Sequence, residues 1–182
     1  MTSITRDPLL AIAKGILWLL MGVMVLAAIA TIVAVPAVLV MRDQIMVDLA
    51  KEMPGLDAPH FVLAIAAVCL LAAILLALLF RIFQLLKQIV DTVGAGDPFV
   101  PVNARRLTQM AWLTLAVQVV SLPLTRIGMW IHEVTKGAGA DGVDIRVTGV
   151  DGNGLLLVLI LFILARVFRK GAEMRAELEG TV

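Results

Sequence analysis

Four apolar runs, Gly15–Met41, Phe61–Phe80, Leu107–Ile131 and Gly154–Phe168, alternate along the chain with polar segments. At about 1.5 Å per helical residue, each of the first three is long enough to cross a hydrocarbon core roughly 30 Å thick. The fourth has only about a dozen apolar residues from Leu155 to the charge at Arg166, so it needs either a start near Val150 or an Arg166 side chain that snorkels to the headgroups. The pattern predicts an all-α integral membrane protein: an antiparallel four-helix transmembrane bundle, one domain over 1–182, with spans at about 15–41, 61–80, 107–131 and 150–168. Gly15–Met41 exceeds the 7 to 15 residues of a signal h-region, so it is expected to be a retained anchor rather than a cleaved leader.

Within the spans the small and polar positions are periodic. Ala27, Ala30, Ala34 and Ala37 in the first run, and Ala66, Cys69, Ala73 and Ala77 in the second, recur at steps of three and four. Lipid tails are as apolar as leucine, so helices in a bilayer associate by close approach at small residues, and these two stripes predict antiparallel packing of the first two spans. In the third run Thr114, Gln118, Ser121 and Thr125 form one polar stripe that should face protein. Hydrogen bonds across helices are the ordinary role for such residues, at roughly 1 kcal/mol each. A polar path or small-ligand pocket around Gln118, aided by the carbonyl that Pro123 frees, is the sharper one.

Outside the spans, Ile82, Leu85, Leu86, Ile89 and Val93 continue helical apolar spacing past the second run. Gly94 and Gly96 end that helix, Asp97-Pro98 makes a turn, and Asn103 is the expected N-cap of the third span. Val167, Gly171, Met174 and Leu178 give the C-terminal tail a weakly apolar face, with Arg169/Glu173 and Arg175/Glu179 as i,i+4 pairs. The segments 81–106 and 169–182 are expected to pack on each other or to lie in the headgroups. Gln44–Lys51 reads as a short interfacial helix, and Val143–Val147 in the loop Glu133–Asn153 as a strand or hairpin edge.

Charge adds an orientation. Hydrophobic residues make up 61% of the chain and the mean hydropathy is +1.02, far from the composition of a water-soluble domain. With the N-terminus cytoplasmic, the inner segments hold Arg6, Lys14, Arg81, Lys87, Arg105, Arg106, Arg166, Arg169, Lys170 and Arg175; the outer ones hold Arg42, Lys51, Arg126, Lys136 and Arg146. This two-to-one bias fits the positive-inside rule and places both termini in the cytoplasm of a four-span cell-membrane protein. Trp18, Trp112 and Trp130 fall near span ends, where indoles settle. The net charge of +1 gives no basic excess for direct nucleic-acid binding.

The search for chemistry is mostly negative. No acidic residue lies inside the four apolar runs, so the buried carboxylates of proton and cation relays are missing. His60 and His132 sit at the outer edge beside Asp57 and Glu133 without the three or four ligands of a metal site. Cys69 is alone, and there is no HExxH, CxxC, GxSxG, Walker loop or GxGxxG. No enzyme activity and no cofactor is expected.

The runs GDPFVPVNARRL (Gly96–Leu107) and LARVFRKGAEMRAELEGTV (Leu164–Val182) resemble a widespread prokaryotic family of small four-span proteins of unknown function. Its members are often encoded beside a small helix-turn-helix transcription regulator, so the resemblance implies a regulatory partner at the membrane and carries no catalytic residue. Two functions of different class follow. In the first, a regulatory or scaffolding protein binds a soluble partner at a cytoplasmic face containing Asp97, Pro98, Phe99, Asn103, Arg105, Arg106 and Arg169. In the second, a small transporter or ligand sensor, as a homo-oligomer, uses the stripe Thr114, Gln118, Ser121 and Thr125.

Overall fold

The computed structural model describes residues 8–52, 57–137 and 152–179. It is all-helical, with no strand among the described residues: α1 (Pro8–Val40), α2 (Arg42–Glu52), α3 (Ala58–Gly94), α4 (Pro101–Gly137) and α5 (Gly152–Glu179). Three of these, α1, α3 and α4, are long and apolar enough to cross a membrane. The segment expected to carry the Val143–Val147 strand lies outside the described residues.

The helices overrun the apolar runs. α3 has 37 residues, about 55 Å at 1.5 Å per residue, nearly twice a hydrocarbon core of roughly 30 Å. Asp91 therefore lies about 16 Å beyond Phe80, in the polar continuation of the helix. α4 runs to Gly137, so Glu133–Gly137, expected in a loop, is helical. α2 matches the expected short helix and adds two residues at its start and one at its end. α5 carries the fourth apolar run and the tail in one helix; its uninterrupted apolar stretch, Leu155–Ala165, spans only about 16 Å.

By contacts the chain forms two compact units: residues 1–25, 78–117 and 152–182, and residues 26–77 and 118–151. In the first, helices run antiparallel in succession. Lys14 meets Asp91 and Trp18 meets Lys87, so four residues forward on α1 correspond to four back on α3. Arg106 bonds the Gln88 carbonyl and Asn103 bonds Thr92, which gives the same relation between α3 and α4. The core of this unit is Leu85 and Ile89 of α3, Leu107, Met110 and Ala111 of α4, and Leu161 and Ala165 of α5. Ile82, Leu86 and Val93 pack against it, so the apolar face expected beyond the second run is the face buried. In the second unit, Ala58, Phe61 and Val62 of α3 and Ser121, Leu124, Ile131 and Thr135 of α4 are buried. The alanine stripe of α1 divides there: Ala27 and Ala34 are half-buried, while Ala30 and Ala37 are exposed, because steps of three and four spread the stripe over two edges of the helix.

α4 is the most polar of the three long helices and also the most buried. One third of its most apolar stretch is inside, against none for α1. Lipid solvates leucine as well as a protein interior does, so the helix that carries hydroxyls and amides gains most from being covered by protein.

The turn between α3 and α4 is a Schellman closure. Asp97 N–H donates to the Thr92 carbonyl (3.2 Å) and Gly96 N–H to the Val93 carbonyl (3.0 Å), with Gly96 in the left-handed region at φ 91°. A side chain at Gly96 would be strained whatever the space around it. α4 then begins at Pro101, whose fixed φ suits a first helical position and whose missing N–H would have no partner there. Asn103 is consequently not the N-cap that its sequence context predicts; it sits two residues inside the helix, with its own N–H bonded to the Val100 carbonyl at 2.9 Å.

Its side chain is instead turned inward and is fully buried (0% exposed). Nδ2 donates to Thr92 Oγ1 (2.8 Å) and to the Pro98 carbonyl (3.0 Å), and Oδ1 accepts from Arg106 (2.8 Å). Replacing Asn103 by Ala removes three bonds at once, leaving Thr92 with only the Ile89 carbonyl and Arg106 with only the Gln88 carbonyl. The expected loss is about 1–3 kcal/mol, read as a lowered unfolding midpoint of the detergent-solubilised protein; an unchanged midpoint would show the amide to be dispensable.

Candidate functional site

Polar interactions between elements concentrate at one end of the first unit, where the start of α1, the end of α3, the start of α4 and the tail of α5 meet. On its α1 side, Asp91 holds two ammonium groups, Lys14 at 2.9 Å and Lys87 at 3.0 Å, and Lys87 also lies 5.5 Å from the centroid of the Trp18 ring. The hydrogen bond from Lys14, followed by that from Lys87, holds the Asp91 carboxyl below the usual carboxylate range.

In the middle stands the Asn103 clamp, extended by Arg106, which reaches both Asn103 and the Gln88 carbonyl (3.2 Å), and by Thr92, which donates to the Ile89 carbonyl (2.7 Å). On the α5 side, the Phe99 ring packs against Phe168 at a 42° tilt with centroids 5.4 Å apart and lies against Gly171. Any Cβ at position 171 would stand 2.7 Å from Phe99 Cδ1, so glycine is what lets the turn sit on the helix. Arg175 closes the contact with an ion pair to Asp97.

Five of the seven residues predicted to form a partner face are thus engaged within the protein. Asp97 holds Arg175, the Pro98 carbonyl and Asn103 share a bond, Arg106 ties α4 to α3, and Phe99 covers Gly171 while leaving 41% of its surface exposed. Arg105 and Arg169 are exposed. The tail and the α3–α4 hairpin pack together, the first of the two arrangements expected for them. In the tail Glu173 takes Lys170, one turn back, at 3.3 Å, and Arg175 reaches Asp97 on the α3–α4 turn. The side chain of Glu179 lies outside the described residues.

The predicted intramembrane stripe is arranged differently. Thr114 donates to the Met110 carbonyl, Ser121 to that of Gln118 and Thr125 to that of Ser121, each at 2.8 Å, and Gln118 is half-buried. The three hydroxyls expected to bridge helices are satisfied on α4 itself, the usual resort of Ser and Thr in a helix, whose oxygens reach the carbonyl three or four residues back. At the far end of α3, His60 Nδ1 lies 2.7 Å from Asp57 Oδ2. No group of three metal-ligating side chains occurs among the described residues.

Sequence reasoning did not single out Thr92 or Gln88, read Trp18 only as an interfacial indole, and did not join Lys14 to Asp91, because each acquires its role from a partner far along the chain. Gly171 was the one visible signal: an isolated glycine inside a helical pattern that has a packing reason.

Comparison with known families decides the affiliation, since a family model, "Protein of unknown function (DUF2975)", matches residues 44–182, more than half of the chain. The chain belongs to the DUF2975 family. The match takes in the α3–α4 turn, the Asn103 clamp and the whole of α5, so most of the polar end described above lies within the DUF2975 region, and only Lys14 and Trp18 precede it. No curated protein and no solved structure matches the chain.

Two outcomes test this geometry. Gly171→Ala should destabilise the protein by about 1–3 kcal/mol through collision with Phe99. In a Phe99→Ala background the same change should become neutral or stabilising by up to about 1 kcal/mol, the helix preference of alanine; unfolding midpoints of the four proteins give the coupling. Because the folded pKa of Asp91 is lowered from 3.8, its contribution is complete at neutral pH and disappears as the pH falls through 3.8 towards the folded value. The difference in unfolding midpoint between wild type and Asp91→Asn should therefore be constant near neutrality and shrink on acidification; a gap independent of pH would exclude the ion-paired carboxylate as its source.

Proposed function

We propose that this DUF2975 protein is a non-enzymatic four-span membrane protein with both termini in the cytoplasm, whose polar end is a preformed platform for a soluble regulatory partner, such as a helix-turn-helix regulator. α5 is the fourth span in this reading. Its short apolar stretch is extended at the inner side by Arg166, whose long stem lies in the hydrocarbon while the guanidinium stays at the headgroups.

The observation that carries the proposal is the fixed α3–α4 turn. Side-chain bonds from Asn103 and Arg106 hold it to α3, and Phe99, Gly171 and the Asp97–Arg175 pair hold it to α5. A turn that leaves an aromatic edge and Arg105 in solvent loses little freedom when a partner docks, and aromatic and arginine side chains are the usual anchors of such contacts. The transport reading draws less support, because the hydroxyls of the α4 stripe already bond to their own helix.

Arg105→Cys in a Cys69→Ala background tests placement and partner together. A membrane-impermeant maleimide should label position 105 only after the cytoplasmic side is opened. A maleimide-benzophenone at the same position should crosslink a soluble cytoplasmic protein in whole cells. Labelling of intact cells would reverse the orientation, and a crosslinked fraction containing lipid and this chain alone would remove the partner.

A further inference from the structure

A second feature of the polar end is a groove between α4 and α5, lined by Thr108 on one side and Phe162, Ala165, Arg166, Arg169, Lys170 and Glu173 on the other. We propose that this groove binds an anionic phospholipid, its phosphate at Arg166, Arg169 and Lys170 and the first methylenes of an acyl chain on Phe162 and Ala165. The inference rests on the proposed placement of α5 in the bilayer.

The lining is divided in the way such a ligand is divided. Arg166, Arg169 and Lys170 are spaced at i, i+3 and i+4, so three cationic heads share one helix face within little more than one turn. Glu173 neutralises one of them, standing 3.3 Å from Lys170, and the groove keeps a cationic excess on two exposed guanidinium groups, whose planar donors match phosphate oxygens. Thr108 donates its hydroxyl to the Ala104 carbonyl at 2.9 Å, so phosphate recognition falls to the α5 cations.

Below the charges the lining is apolar. Ala165 is 2% exposed and belongs to the core, and Phe162 is braced by Trp112 in an edge-to-face contact with centroids 5.6 Å apart. The change from apolar to cationic falls where the uninterrupted apolar stretch Leu155–Ala165 ends at Arg166, the level at which a helix leaves hydrocarbon for headgroups. An acidic protein segment would find the same charge but has no use for the Phe162–Ala165 floor. Basic residues at a membrane surface favour anionic lipid, and the two guanidinium groups left unpaired among the described residues suffice for a several-fold preference over a zwitterionic lipid.

Trp112, in contact with Phe162, is a built-in reporter. With Trp18→Phe and Trp130→Phe it is the sole tryptophan, and the full chain can be reconstituted into phosphatidylcholine vesicles doped with phosphatidylglycerol or phosphatidylcholine brominated on the acyl chain. Brominated phosphatidylglycerol should quench Trp112 at a several-fold lower mole fraction than brominated phosphatidylcholine, and unlabelled phosphatidylglycerol should reverse it. Arg169→Gln and Lys170→Gln, both at exposed positions, should each reduce the preference. Adding Arg166→Gln should abolish it while quenching by brominated phosphatidylcholine, which reports insertion itself, persists.

Equal quenching by the two lipids would overturn the site without touching the membrane placement. Loss of quenching by both would overturn the placement. Reversal by inorganic phosphate or polyglutamate as effective as by phosphatidylglycerol would overturn the lipid as occupant.

Discussion

One buried carboxamide holds together the part of this protein that most resembles a site. Asn103 lies in the first turn of α4, fully covered, and joins three things: the last turn of α3 through Thr92, the intervening turn through the Pro98 carbonyl, and its own helix through Arg106. Because Thr92 passes the connection on to Ile89, and Arg106 to Gln88, the amide stands in the middle of a chain of bonds. Such a network is worth more intact than the sum of its pairs, since each bond polarises the next and each unmet group in a dry site is costly. Remove that amide and the Schellman turn at Gly96 still forms locally, but the register of α4 against α3 is left to the Arg106–Gln88 bond and to apolar packing.

From that register the rest of the polar end follows. With the turn fixed, Phe99 meets Gly171 and Asp97 meets Arg175, so the tail of α5 is docked on the hairpin. With α3 fixed, Asp91 is presented to Lys14 and Lys87, and α1 is drawn in by charge and by the ring of Trp18 although its most apolar stretch buries none of its residues. Hydrophobic contact is a weak guide to which helix joins which when every face is oily, and the ends of the helices, where water returns and charges pair, supply the selectivity. This explains why the cross-element polar contacts of this unit gather at one end, while Thr114, Ser121 and Thr125, deep in α4, turn back on their own backbone.

The proposed platform and the proposed lipid groove share this scaffold and divide its basic residues by level. Arg105 belongs to the end of α4 near the turn, whereas Arg166, Arg169 and Lys170 lie where the apolar stretch of α5 gives out. Under the proposed orientation of this DUF2975 protein, the polar end lies beside the headgroups. That is a position from which a bound partner and the local lipid composition are both within reach of the same helix.

Much of this was legible in the chain itself. Apolar runs of membrane-crossing length, the helical spacing from Ile82 to Val93 and the short helix after Arg42 are determined by local sequence, because helix and lipid solvation both depend on residues within a few turns of one another. Glycine at position 96 likewise announced the end of α3, since only the left-handed conformation closes that turn. Asn103 shows the limit: its context reads as an N-cap, but Pro101 starts the helix two residues earlier and leaves the amide facing inward, where its worth depends on Thr92 and Pro98. The same holds for the pairing of Lys14 with Asp91, the glycine demanded at 171 by a ring at 99, and the conversion of five expected partner contacts into internal ones. Those were settled only by tertiary structure, because a hydrogen bond or a packed ring acts over a few ångströms in space, and the residues it joins here stand up to 78 positions apart in the chain.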